Sequence, residues 1–169
     1  MEIKKQILAV IQARMNSTRL PGKVLKKIGD STCIEILLKR LSKSELIDRI
    51  IVATSTNQYD DILYDKLNKI GVDCFRGDET NVYKRFLDAI KNSEASVILR
   101  ITADCPLIDP VLVDKIIRDF LSKDVDYVSN VDPPFFPDGM DVEVIDRNCL
   151  ENNYSSNLNK YHLEHVTSY

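Results

Sequence analysis

Two segments of the chain carry side chains suited to phosphate chemistry. The first runs Gln12-Ala13-Arg14-Met15-Asn16-Ser17-Thr18-Arg19-Leu20-Pro21-Gly22-Lys23-Val24-Leu25-Lys26-Lys27, with five positive side chains and no acid from Arg14 onward. Arg14 and Arg19 can grip phosphate oxygens through paired, charge-assisted bonds. Ser17 and Thr18 can donate hydroxyls, and Pro21-Gly22 supplies a turn that brings Lys23 back over the same place. Neither a Walker loop nor a dinucleotide glycine fingerprint is present, so side chains rather than glycine-rich backbone would bind the anion. From composition alone, a solvated basic loop is the alternative.

The second segment is Arg100-Ile101-Thr102-Ala103-Asp104-Cys105-Pro106-Leu107-Ile108-Asp109-Pro110. Asp104 lies just beyond an apolar run, where a carboxylate can hold Mg²⁺ and offset charge that builds on an attacked phosphate. A structural alternative has Asp104 closing the turn before Pro106. Asp109 precedes Pro110 and reads as a helix N-cap. Cys105 reads as a small packed side chain rather than a nucleophile, since no histidine lies near it in sequence. Cys33, Cys74, Cys105 and Cys149 are widely separated with no CxxC pair, which argues against a zinc finger or a dithiol redox site and for reduced, structural thiols.

The elements that must position these segments alternate along the chain. Ile7–Ile11, Ile50–Ala53, Val72–Phe75, Val97–Leu99 and Tyr127–Val128 are short apolar runs, as strands covered on both faces require. Between them lie stripes of helical period: Ile34 to Leu41, Ile62 to Ile70 ended by Gly71, Val82 to Ile90, and Val113 to Leu121. This alternation predicts an α/β domain, a mostly parallel sheet with helices on both faces. After residue 130 a proline-interrupted loop carries Phe135 and Phe136. Met140 to Ile145 then alternates like an edge or mixed-direction strand, and 147–166 is helical in places.

A hydrophobic fraction of 44% and a charged fraction of 29% are those of an ordinary globular domain, and a formal charge of -3 gives no general footprint for nucleic acid. The opening Met1-Glu2-Ile3-Lys4-Lys5 and the short apolar run after it do not make a signal peptide, and no run approaches a membrane span. A cytoplasmic protein with no nucleic-acid or membrane partner is the expectation.

Taken together, Gln12-Ala13-Arg14, Ser17-Thr18-Arg19-Leu20-Pro21-Gly22-Lys23, Thr102 to Pro110, Asp138-Gly139-Met140-Asp141-Val142-Glu143-Val144 and, more loosely, Glu164-His165-Val166-Thr167 resemble the motifs of the cytidylyltransferase family. That family includes the enzymes that make CMP-activated sugar acids, and the branch this sequence most resembles is the spore-coat polysaccharide proteins of the SpsF type. The resemblance implies a nucleotide-diphospho-sugar transferase-like fold and Mg²⁺-dependent transfer of a cytidylyl group from CTP to a sugar or sugar acid, with pyrophosphate released. It implies catalytic roles for Arg14, Lys23 and Asp104, and a metal site at Asp104. Nucleotide contacts would come from Ala13, Arg14, Ser17, Thr18, Arg19, Lys23, Ala53, Thr54, Ser55 and Arg76. Arg85 is a further pocket residue, and for Arg76 and Arg85 alike a solvated surface charge is the alternative. Asp141 and Glu143, sharing one strand face, and His165 would meet the acceptor. Family members usually continue further, so residues 1–169 read as one nucleotidyltransferase-like domain, shorter than is usual and apt to pair as a homodimer. A glycosyltransferase using a nucleotide sugar and a non-catalytic nucleotide-binding module are the competing readings.

Overall fold

A computed structural model describes residues 5–155 and 157–168; Met1 to Lys4, on which the reading of a leader partly rests, lie outside the described residues. The expected strands form as β1 (Ile7–Gln12), β4 (Arg49–Ser55), β5 (Cys74–Gly77), β6 (Val97–Thr102) and β7 (Tyr127–Ser129). β8 (Glu143–Asp146) completes a six-stranded sheet in the order β5-β4-β1-β6-β8-β7. β5, β4, β1 and β6 are parallel neighbours, while β8 pairs antiparallel with both β6 and β7. The reversed strand is therefore internal. β7, not the Met140–Ile145 segment, forms the edge, and only the last residues of that segment enter the ladder.

Helices α1 (Cys33–Leu41), α2 (Asp61–Lys69), α3 (Val82–Ile90) and α4 (Pro110–Leu121) fill the crossovers. Their starts are chemically marked. Glu35 and Thr32 form a capping box on α1, and Asp109 accepts the Val111 N–H at 2.8 Å on α4. Gly71, at φ +71, ends the α2 region as the stripe pattern required. Two short helices, α5 (Arg147–Asn152) and α6 (Lys160–His165), account for the helical character after residue 147. The hairpin β2 (Lys27–Ile28) and β3 (Ser31–Thr32) was not anticipated.

Alternate residues of β1 feed two cores, which is why its sequence is apolar throughout. Ile7, Ala9 and Ile11 pack with Ile34, Leu37, Leu63 and Ile117 on one side of the sheet, while Leu8 and Val10 pack with Tyr83, Phe86, Leu150 and Val166 on the other. Each such aliphatic side chain stabilises the fold by about 1.5–3 kcal/mol when fully buried. Two apolar layers thus clamp the central strands and fix where they end. In register, Gln12 sits opposite Thr102 at the carboxyl end of the sheet.

Candidate functional site

The carboxyl-terminal rim of β1 and β6 is where the two chemical segments meet. The basic loop leaves β1 at Gln12, and Asp104 lies two residues beyond the end of β6. The loop is closed on itself: the Gly22 N–H donates to the Met15 carbonyl at 2.8 Å, and Gly22 adopts φ +70, a backbone state that favours glycine. A 3-10 turn, Lys23–Leu25, follows at once and plants Val24 in the core. Lys23 is thereby turned inward, and its ammonium bonds the Asp104 carboxylate.

Ala13, Arg14, Ser17, Thr18, Arg19, Lys23, Thr102 and Asp104 line one cavity of about 300 Å³. Arg19 and Asp104 also border a second cavity, of about 430 Å³, with Cys105, Asp138 and Asp141. Arg19 and Asp104 therefore share one side of the molecule. Burial pushes the Asp104 carboxyl up, but the Lys23 hydrogen bond and charge outweigh it and hold the group below its ordinary value. Asp141 moves the other way, raised by burial and by repulsion from Asp138, Glu143 and Asp104. Asp104 is thus ionised and held by an internal cation, while Asp141 lies in an excess of negative charge.

Alongside lies a third cavity, of about 470 Å³, lined by Arg100, Tyr127, Ser129, Glu143, His165 and Thr167 among others. Arg100 links the regions, since its guanidinium bonds Glu143 and also reaches Gln12 Oε1 at 3.3 Å. Glu143 further accepts the Tyr127 hydroxyl at 2.8 Å and the Thr167 hydroxyl at 2.6 Å. Arg14 pairs with Glu164 of α6 at 3.3 Å, so the loosely matching Glu164-His165-Val166-Thr167 segment supplies one wall of the site.

The structure separates some residues that sequence reasoning grouped. Asp141 precedes β8 and faces the second cavity, whereas Glu143 lies within β8 and faces the third. Ala53, Thr54 and Ser55 are fully buried in β4 beneath the loop and border none of the three cavities. The Ala53 carbonyl accepts the Ala13 N–H at 3.2 Å, which ties β4 to the start of the loop. Arg76 is also committed elsewhere. It donates to the Ser55 and Asn57 carbonyls, pairs with Asp61 at 2.7 Å and lies over the Tyr64 ring. Arg85 is wholly buried, not a surface charge, and donates to the carbonyls of Asp78 and Glu79.

Cys105 packs as expected, 5% exposed, with burial pushing its thiol up to about 11. Such a thiol is protonated near neutrality and a poor nucleophile. All four cysteines are free. Sequence reasoning gave no site role to Arg100, Glu164, Thr167 or Asp60. The first three had a readable signal, in that each lies within or beside a recognised motif. Asp60 had none.

Residues 8–169 match the family described as Cytidylyltransferase. The chain is 42% identical over 164 residues to an uncharacterised protein of Methanocaldococcus jannaschii, covering 97% of this chain and 66% of that one. It is 39% identical over 168 residues to the spore coat polysaccharide biosynthesis protein SpsF of Bacillus subtilis, covering 96% of this chain and 69% of SpsF. A solved cytidylyltransferase from Leptospira borgpetersenii superposes with a TM-score of 0.89 at 34% identity, over 99% of this chain and 71% of that structure. The chain thus spans about two thirds of the length of these relatives. No helix among the described residues is long and apolar enough to cross a membrane.

Proposed function

Because this chain belongs to the cytidylyltransferase family, we propose that its rim site carries out Mg²⁺-dependent transfer of a cytidylyl group from CTP to an oxygen of a sugar or sugar acid. The product serves surface polysaccharide or glycan synthesis, as the SpsF relative's name, a spore coat polysaccharide biosynthesis protein, suggests. One observation carries the proposal: a loop of cations and hydroxyls and an ionised carboxylate, distant in sequence, line the same cavity.

Arg14, Arg19, Ser17, Thr18 and Lys23 bind the triphosphate. The oxygen of an acceptor hydroxyl attacks the α-phosphorus and gives up its proton to water, the bond from that phosphorus to the oxygen bridging to the β-phosphate breaks, and pyrophosphate leaves. Arg14 and Lys23 offset charge on that leaving group, and the walls align the reactants. Asp104 fits a hard divalent ion, being an ionised oxygen donor open to two cavities. Among the described residues no group of three or more His, Cys, Asp or Glu could cage a metal alone. That suits Mg²⁺, which is commonly held by one or two carboxylates together with substrate phosphates and water. Bound there, Mg²⁺ supplies positive charge against the phosphate oxygens. Lys23 then exchanges Asp104 for a phosphate.

The acceptor occupies the adjoining cavity beside Glu143 and His165. Because Glu143 already accepts from Arg100, Tyr127 and Thr167, it orders that wall while Ser129 and the His165 ring meet sugar hydroxyls. Asp141, which lines the same cavity as Arg19 and Asp104, contacts the acceptor near the reacting oxygen.

The deciding experiment incubates the protein with CTP, Mg²⁺ and a panel of sugars and sugar acids while pyrophosphate is measured. Pyrophosphate release that requires both CTP and an acceptor is expected. CTP binding without release over the whole panel would overturn catalysis in favour of a binding module, and turnover of a nucleotide sugar without pyrophosphate would make the chain a glycosyltransferase.

A further inference from the structure

Asp60 belongs to none of the motifs used above, yet it is 2% exposed and directly under the basic loop. It stands at the N-cap position of α2, where an aspartate normally accepts N–H groups of the first helical turn, but its side chain makes no such cap. Instead Oδ1 accepts the Met15 N–H at 2.6 Å, while Oδ2 accepts the Ser55 N–H at 3.1 Å and the Ser55 hydroxyl. Met15 is also where the loop closes, its carbonyl accepting the N–H groups of Gly22 at 2.8 Å and Ser17 at 3.0 Å. A single residue thus closes the first half of the loop through its carbonyl, while its N–H is tied to β4 through Asp60.

We propose that Asp60 is the positioning residue of the triphosphate loop, setting Ser17, Arg19 and Lys23 against Asp104 without touching the ligand. The proposal rests on the loop being a CTP site. Bonds to a carboxylate are roughly twice as strong as neutral ones, and the carboxylate is shielded from water that would compete for them. Burial lowers the Arg85 guanidinium to about 10, and the negative charge of Asp60 is the foremost influence opposing that shift. Misplacing a binding loop by about 1 Å can cost on the order of a hundredfold in rate, so an unliganded residue here controls function.

A purely structural aspartate supplies the control within the same chain. Asp114 is 5% exposed and accepts the Ser44 hydroxyl and the N–H groups of Glu45 at 3.0 Å and Leu46 at 3.3 Å, but its loop leads into β4 far from the cations. Asp60→Asn and Asp114→Asn are compared in the full chain by thermal melting and by calorimetry with CTP and Mg²⁺. Both melt below the parent protein. Asp60→Asn is expected to weaken CTP binding about tenfold or more, the effect of losing one charge-assisted bond to the loop, and Asp114→Asn to leave it unchanged. Equal CTP affinity in Asp60→Asn and the parent, or equal losses in the two variants, would overturn the proposal.

Amide hydrogen exchange decides the matter if Asp60→Asn does not fold. In the parent protein without ligand the Met15 N–H is protected, and in Ser55→Ala exchange at Met15 and Gly22 quickens. Exchange of Met15 at the rate of an open loop in the folded parent overturns the assignment. A parent chain that binds no CTP overturns the site reading instead, and the exchange result then still decides whether Asp60 orders the loop.

Discussion

The carboxyl-terminal rim of the sheet and the loop that enters β4 are built with the same device and left in different states. In both, a buried aspartate gathers a serine hydroxyl and backbone N–H groups: Asp60 at the rim, from the last residue of β4 and from the basic loop, and Asp114 from the α1–β4 connection. The α1–β4 loop ends there, with its polar groups answered by the protein. At the rim the anchored loop carries cations that pair with partly exposed acids from other segments in the wall of one cavity: Lys23 with Asp104 and Arg14 with Glu164. Buried carboxylates that receive backbone donors shape both loops. What distinguishes a site is the partly exposed charge assembled on top, whose internal pairs a ligand can replace.

The comparison breaks most visibly at Asp104. Asp104→Ala should lower pyrophosphate release by about a hundredfold or more, the scale of removing a charge-stabilising group, while the melting temperature changes little. Retained Mg²⁺-dependent turnover would remove the metal role. Arg19, exposed in the loop, gives a smaller effect: Arg19→Ala should weaken CTP binding about tenfold, the loss of one charge-assisted contact, as measured by calorimetry. Unchanged affinity would make the loop a solvated surface feature.

On the other side of the comparison, Ser44→Ala removes one donor to Asp114 and should cost about 1 kcal/mol of stability in urea unfolding with CTP affinity intact. A change in CTP affinity would show that the two ends are coupled. The smallest effect concerns Glu35. The hydrogen bond from Lys66, then those from the Thr32 hydroxyl and N–H, hold its carboxyl down to about 2 from an ordinary 4.5. Because the folded value is depressed, its stabilisation is complete above the ordinary value and lost as pH falls through about 2. Glu35→Gln should therefore melt lower than the parent at pH 7, and the gap should close near pH 2. A gap of constant size would show that the charge contributes nothing.

Much of the scaffold was legible because period and punctuation agreed. The stripe from Ile62 ends at Gly71, which takes positive φ, and Asp109-Pro110 opens α4 as a cap and first-turn proline should. Residues of the basic loop and Asp104 were legible because charged and hydroxyl types cluster beside strand ends. The roles of Ser55, Arg76 and Arg85 were not, because a polar residue next to a motif has the same sequence appearance whether it lines a cavity or holds up its floor. Asp141 and Glu143 looked alike from their spacing of two, but the strand begins only at Glu143 and the two face different cavities.

The sequence by itself determined the alternation of apolar strands with amphipathic helices, and hence a layered α/β sheet with a cationic loop at one strand end. Those features follow from local periodicity and from short-range capping chemistry. Only the tertiary structure decided that β8 runs backwards between β6 and β7, that Glu143 is held by Arg100, Tyr127 and Thr167, and that Asp60 reaches past its own helix to Met15, 45 residues away along the chain. Such contacts depend on which side chains two packed cores bring to the same rim, and no window of neighbouring residues carries that information.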